Sequence, residues 1–334
     1  MLSIELTDLD GRRYTSDQIE RLEFSDRLDT PAQSILVTLL RPGWVGELVS
    51  LRAFYGGALF FEGQVDEQEY RLSAGQDEME ISARSAGAAL LDNEAIPAAY
   101  NCPCLEDLYK LHLKPYGVRG CRGSAARCGA VFPVYTGMSE WDVVRGFCTG
   151  VLGVLPRLTE GMILDATGQP TGRTVVFDNL RPGAYRYTAL SVRRVRSGVI
   201  GEIVYRSERD GAYIYRARSK TAQRRAITAR QVINLSGAAD WEKGSAVSRR
   251  FLASELGSEE IVVKSPQYVR CRPGDRVCVS VPGGETDGWT VYEINYHLSG
   301  GELASRAVLR PEWEIRGWSD NVADTAAVVT QQST

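Results

Sequence analysis

Apolar and polar side chains alternate through TVYEINYHL, residues 290–298. Thr290, Tyr292, Ile294, Tyr296 and Leu298 fall on one side, and Val291, Glu293, Asn295 and His297 on the other. A period of two marks a half-buried strand. Ser299, Gly300 and Gly301 follow, a turn sequence that tolerates positive φ. A second run sets Leu303, Ala307 and Leu309 against Glu302, Arg306 and Arg310. The stretch predicts a β-hairpin with His297 on its more polar face, a structural placement. A catalytic histidine needs a nucleophile or acid partner supplied by the fold, and no GxSxG motif occurs in the chain.

The same pattern fills residues 1–90. LSIELTDL alternates and DGRRY turns. Two strands flank the Thr30-Pro31 break, and LVSLRAFYGGALFFEGQVDEQEYRL reads as a hairpin folded at Gly56-Gly57. MEISARSAG adds another strand. Six or seven short strands with turn residues between them predict a small barrel or sandwich.

The period then changes. Leu105, Leu108 and Leu111 stand at helical spacing. Ser139 is placed to cap a second helix, with Trp141, Val144 and Cys148 on one face and an end at Gly150 or Gly153. GMILDATG returns to strand. From about residue 172, RTVVFDNL, YTALSVRRV, IGEIVYRS and AYIYRARS are strand candidates, the last two joined by a turn at Glu208–Gly211. A helix is expected between Ser245 and Leu256. The turn RPGDR, 272–276, leads to the closing hairpin.

The expected architecture is mainly β with an α+β insert. Residues 1–92 form a first β-barrel domain and 93–170 the insert. Residues 171–318 form a second β-barrel region with a helical excursion near 245–256. The small, polar residues of 319–334 form a flexible tail.

Composition narrows the class. A chain of 334 residues is long enough for two or three domains. Its apolar runs fall far short of a membrane span, so no stable membrane insertion is expected. MLSIELTDLDGRRY lacks the basic and apolar blocks of a secretory signal. Seven cysteines, an odd number without such a signal, read as reduced thiols. Charge is unevenly spread: residues 1–95 carry a net −10, residues 96–230 a net +11 and residues 231–334 a net −4. Opposed blocks of this size suggest complementary surfaces between segments or subunits.

Candidate chemistry is sparse. Cys102, Cys104, Cys121 and Cys128, with His112 among them, supply soft ligands for zinc or an iron–sulfur cluster. Their spacing lacks the paired CxxC knuckles of zinc ribbons, so small loop thiols are the simpler reading. RRVR at 193–196 and RARSKTAQRR at 216–225 could track phosphates, but no aromatic stacking platform accompanies them. They read better as strand residues facing solvent or an acidic surface. GVLGVL lacks dinucleotide-site spacing, and Glu67 and Glu69 alternate on an exposed strand face. No catalytic, cofactor-binding or metal residue is assigned, and an enzyme is not expected.

Several segments, taken in order, resemble one family. LFFEGQVDEQEY at 59–70 is similar to a strand of the baseplate hub proteins of contractile-tailed phages and tail-like particles, the late control protein D group. ISARSAGAALLDNEAIP at 81–97 resembles the junction that leaves their first barrel. LKPYGV and VYTGMSEWDVVRGFCTGVLGVLPRLTEGMIL resemble their insert. VVKSPQYVRCRPGDRVCVSVP and the hairpin bearing His297 resemble their closing strands. The resemblance spans nearly all of residues 1–315.

The resemblance implies a virion or tailocin structural protein at the baseplate centre, assembled in the host bacterial cytoplasm. It implies two tube-type β-barrels per chain and a homotrimer forming a pseudo-sixfold ring. Such a ring joins the sixfold tail tube to the threefold central spike and nucleates tube assembly. The other implied partners are the baseplate wedge and the tape-measure protein, with DNA only as cargo in the lumen. The family supplies no catalytic residues and no cofactor. The acidic first region beside the basic middle segment would help set subunit register. Two alternatives are a tail-tip protein of a non-contractile tail and a tail-associated peptidoglycan-degrading enzyme. The second needs a Cys/His/Asp or paired-acid pocket.

Overall fold

In the computed structural model the described residues are 1–316, excepting 44, 74, 130, 207–211, 237–239 and 282–283. The expected turn at Glu208–Gly211 and the tail from Ser319 lie outside the described residues.

The chain divides into two units, the first comprising Met1–Asn93, Thr171–Ser191 and Ile261–Leu309. Its amino-terminal strands are β1 (Leu2–Asp8), β2 (Arg13–Ser16), β3 (Ile19–Arg27), β4 (Ser34–Leu40), β5 (Leu48–Tyr55), β6 (Ala58–Ser73) and β7 (Gln76–Arg84). They lie side by side in the order β3-β4-β7-β6-β5-β1-β2, antiparallel throughout. The β5–β6 turn falls at Gly56-Gly57, where both residues have positive φ, as the sequence predicts.

The carboxy-terminal strands enter the same sheet. Gly284–Ser299 pairs antiparallel with β3, placing Tyr296 opposite Phe24. Glu302–Pro311, Glu259–Ser265 and Ala189–Arg194 extend the sheet outward. Arg276–Val281 pairs with Gly284–Ser299 and, in parallel, with Thr174–Phe177. Among the described residues the result is one 13-stranded sheet.

This corrects the expectation of two β-barrels. The fold is mixed α+β with mostly antiparallel sheets, and among the described residues no sheet closes on itself. Alternation tells which side chains share a face, but not which strand pairs with which. Each edge of β3 is taken, one by β4 and one by Gly284–Ser299, so strands from the two ends of the sequence join one sheet.

Its core draws on both regions, among them Leu22, Val37 and Ile81 with Val263, Val277 and Ile294. Burying each such side chain contributes about 1.5–3 kcal/mol. Phe24 stacks on Tyr296 at 5.1 Å, and Tyr268 lies 4.8 Å from Tyr296. The Tyr296 hydroxyl donates to the Val269 carbonyl at 2.9 Å, so its polar tip is satisfied inside the core. Gly63 on β6 has no space for a side chain. A Cβ there would stand 2.3 Å from the Arg84 carbonyl oxygen and 2.6 Å from the Phe61 ring.

The second unit takes Glu94–Pro170 and Val192–Glu260, with residues 310–316. Its helix Glu140–Phe147 starts at Ser139, whose hydroxyl accepts from the Asp142 amide at 3.1 Å while the Ser139 amide donates to the Asp142 carboxylate. The helix widens into a turn at Cys148–Leu152 and stops at Gly153, whose φ of 70° is left-handed. A second helix, Asp240–Glu255, begins five residues before the expected Ser245. Its Val247, Phe251 and Leu252 pack with Ile203, Ala217 and Ile233 of a three-stranded sheet. That sheet orders Tyr215–Arg218, Glu202–Arg206 and Arg230–Asn234. Among the described residues no helix is long and apolar enough to cross a membrane.

Candidate functional site

The two histidines have different surroundings. His297 is exposed on Gly284–Ser299, opposite Glu23 of β3. It borders a shallow open depression shared with Ser25, Ser34, Asp66, Arg84 and Asn295. Arg84 is occupied there, its guanidinium holding Asp66 at 2.7 Å and Asp92 at 2.8 Å. The hairpin and polar face are those the alternation predicts.

His112 is buried instead. The turn Tyr109–Leu113 is wider than an α-helix and shifts the phase of the helical pattern. Leu111, expected on the apolar stripe, is left 52% exposed, while His112 and Leu113 turn inward. His112 Nδ1 lies 2.5 Å from Glu140 Oε2, and the Tyr116 hydroxyl donates to Glu140 Oε1 at 3.0 Å. The Tyr100 ring meets the imidazole edge-on at 5.6 Å. Ser139, by capping the helix, sets Glu140 in its first turn. Periodicity gave no sign of this pair, because the widened turn breaks the period.

The four cysteines do not form a ligand set. The Cys104 thiol donates to Asp107 at 3.1 Å, and the Cys104 amide donates to the same carboxylate at 3.0 Å, tying down the start of the helix Leu105–Leu108. The Cys121 thiol donates to Glu106 at 3.2 Å. Burial, aided by that carboxylate, pushes Cys121 up to about 12. Cys128 is buried, its amide donating to the Pro103 carbonyl, and the Cys102 thiol faces the Asn101 side chain. Among the described residues no group of three or more His, Cys, Asp and Glu side chains is arranged to hold a metal.

The basic segments resolve into a specific surface. Glu202 stands opposite Arg218 on one neighbouring strand and Arg230 on the other. Arg218 approaches it at 3.1 Å, Arg230 at 2.5 Å and Arg216 at 3.7 Å. Burial raises the Glu202 carboxyl, but the Arg230 and Arg218 hydrogen bonds outweigh it and hold the group below its ordinary value. Arg206, four residues along the same face from Glu202, donates to Asn234 at 2.8 Å. Arg225, further along the basic run, pairs with Glu259 at 3.3 Å. The arginines of 193–196 include Arg196, which donates to the Ala226 carbonyl.

The opposite charge gathers on the first unit. Beyond Val65, β6 and β7 pair Glu69 with Glu80 and Arg71 with Glu78. Like charges directly across a ladder repel. Arg71 offsets this by contacting Glu69 and, at 3.8 Å, Glu80. Glu67 and Glu69 are exposed, as their alternation predicts.

No family model and no curated protein matches this sequence. Its fold is that of phage tail proteins. The tail protein from Neisseria meningitidis MC58 aligns with a TM-score of 0.72 at 15% identity, over 95% of this chain and 99% of that one. The 43 kDa tail protein of prophage MuSo2 from Shewanella oneidensis gives 0.72 at 11% identity, over 94% and 99%. The E. coli c3393 protein gives 0.56 at 12% identity, over 95% and 78%. It is described as a type VI secretion component similar in structure to T4 tail proteins gp27 and gp5.

Proposed function

We propose that this chain is the structural hub of a phage or tailocin baseplate. One observation carries the reading: two tail proteins share its fold over almost their whole length and almost the whole of this chain. The c3393 comparison supports a hub in particular, because that protein is related in structure to a pair of tail proteins, gp27 and gp5. The sequence resemblance in the β6 strand, the helix after Ser139 and the closing hairpin points the same way.

In this reading the chain is a non-enzymatic adaptor. It forms a homotrimer that meets the sixfold tail tube on one side and the threefold spike on the other, and it seeds tube growth. Wedge and tape-measure proteins are its further neighbours in the particle, and DNA passes it only as cargo.

Light-scattering mass and negative-stain imaging test the proposal, first on the purified chain and then with its spike and tube proteins. The expected result is a ring with a mass near three times 36.8 kDa. A chain that stays monomeric and binds neither protein overturns it. Clearing of a peptidoglycan zymogram would favour the enzyme reading instead.

A further inference from the structure

We infer that the arginine face of the small sheet docks on the acidic β6–β7 ribbon of a second copy of this chain, a contact that fixes which faces of neighbouring subunits meet. The inference rests on the self-assembling hub proposed above and assigns its register to named side chains.

The two surfaces are inverse in composition. On the small sheet, Glu202, Val204 and Arg206 share one face by the period of two, and Arg216, Arg218 and Arg230 stand across from them. The other face carries Ile203, Ala217 and Ile233 and is covered by the helix Asp240–Glu255. Four arginines therefore surround one glutamate, a local net charge of +3. The side chains of Arg216, Arg218 and Arg230 remain 53%, 61% and 54% exposed although all three reach Glu202. One carboxylate cannot neutralise three guanidiniums, so their outer donors face solvent with unmet charge.

The ribbon is the reverse. Glu67, Glu69 and Arg71 alternate along one face of β6, with Glu80 and Glu78 across from the last two on β7. Met79 and Ile81 occupy the other face and belong to the core. Four carboxylates therefore surround one arginine, a local net charge of −3. At about 3.3 Å per residue and 4.8 Å between strands, the arginine patch on three strands is roughly 10 Å by 13 Å and the two-stranded acidic patch roughly 5 Å by 13 Å.

Geometry decides the kind of assembly. The patches differ, so the contact is head-to-tail, and repeated head-to-tail contacts close into a ring when the rotation permits. A patch of this size is a fraction of the roughly 800 Å² per partner of a standard interface. Its part is register and rejection of wrong faces rather than most of the affinity.

The test is the mass of the full chain by analytical ultracentrifugation at two salt concentrations. Raising NaCl from about 0.1 M to 1 M shortens the screening length from about 10 Å to 3 Å, and association weakens roughly ten-fold or more. E67K/E69K and R206E/R216E, each made alone, weaken association about 100-fold at the lower salt. These substitutions leave the Arg218 and Arg230 pairs with Glu202 in place, and circular dichroism checks that each variant is folded. The chain carrying all four substitutions reverses both signs, setting a net −1 against a net +1, and associates at least about ten-fold more tightly than either half-reversed variant. The inference is overturned if either half-reversed variant associates like the wild type, if the folded four-fold variant stays monomeric, or if the wild type is monomeric at both salts. Rings of unchanged mass in every variant would refute this contact and leave the hub reading standing. Failure to bind tube and spike would refute the hub reading.

Discussion

Replacing Gly63 with alanine tests the packing of β6 directly. The new Cβ would lie 2.3 Å from the Arg84 oxygen and 2.7 Å from its carbonyl carbon, where about 3.4 Å is ordinary contact. Either strand must yield by about 1 Å. β7 has little freedom to do so. It is paired on both sides, Arg84 standing opposite Ser34 of β4 and Gln64 of β6. The Arg84 guanidinium is also tied to Asp66 and Asp92. Overpacking of this kind costs about 1–3 kcal/mol, and the rigid neighbourhood places G63A at about 2–3 kcal/mol. Hydrogen exchange by mass spectrometry on peptides from β6 and β7 reads this as local opening. At 1.4 kcal/mol per ten-fold, exchange there rises about 30- to 150-fold. Gly57→Ala is the control: its φ is +79° with nothing within 4 Å, so only left-handed strain of about 1–2 kcal/mol applies. Exchange within a factor of about three of the wild type in G63A would refute the steric argument.

Three further outcomes follow from groups that are buried or half-buried. Glu140→Ala strands His112 Nδ1 and the Tyr116 hydroxyl, lowering stability by about 2–4 kcal/mol in urea titrations, and a loss under about 0.5 kcal/mol would contradict the assigned pair. Burial pushes Glu314 up to about 8 against an ordinary 4.5, despite Arg310 and the Gly257 amide. The folded chain thus keeps a proton that the unfolded chain releases. The stabilisation is full below about pH 4.5 and is lost as pH rises through about 8, on the order of a few kcal/mol. Glu314→Gln removes that slope, and unfolding measured at pH 5 and pH 8.5 should show it in the wild type only. Cys121, held up to about 12, should alkylate with iodoacetamide at pH 8 far more slowly than in the urea-unfolded chain, and Glu106→Gln should accelerate it. Equal folded and unfolded rates would contradict that environment.

Local features were readable from the sequence because they depend on neighbours in the chain. The Gly56-Gly57 turn, the Ser139 cap and the Gly153 stop each arise within a few residues. The polar placement of His297 followed from period two alone. The closure of the sheet was misread because strand partners are chosen across the whole chain: Phe24 opposite Tyr296 leaves no local trace. The helix begins at Asp240, ahead of the expected Ser245, because it runs through Gly244, a poor helix former that reads locally as a break. Burial of His112 depends on a widened turn that a 3.6-residue period does not anticipate. The arginine cluster was visible as a charge run. Its meaning required register, which brings Arg218 and Arg230 to one glutamate from opposite sides.

The pairing of β3 with Gly284–Ser299 also has a consequence during synthesis. β3 leaves the ribosome early, with β4 available to one edge, but its other edge waits for a strand made some 260 residues later. At roughly 5–20 residues per second, that wait is on the order of 15–50 s. Through that interval the nascent chain carries an unfilled backbone edge beside Phe24, able to accept a strand from another chain. Expression yield is therefore set by how quickly translation ends as well as by the stability of the finished sheet. Slowing the ribosome between residues 90 and 280, with synonymous rare codons, should raise the insoluble fraction without changing a single side chain.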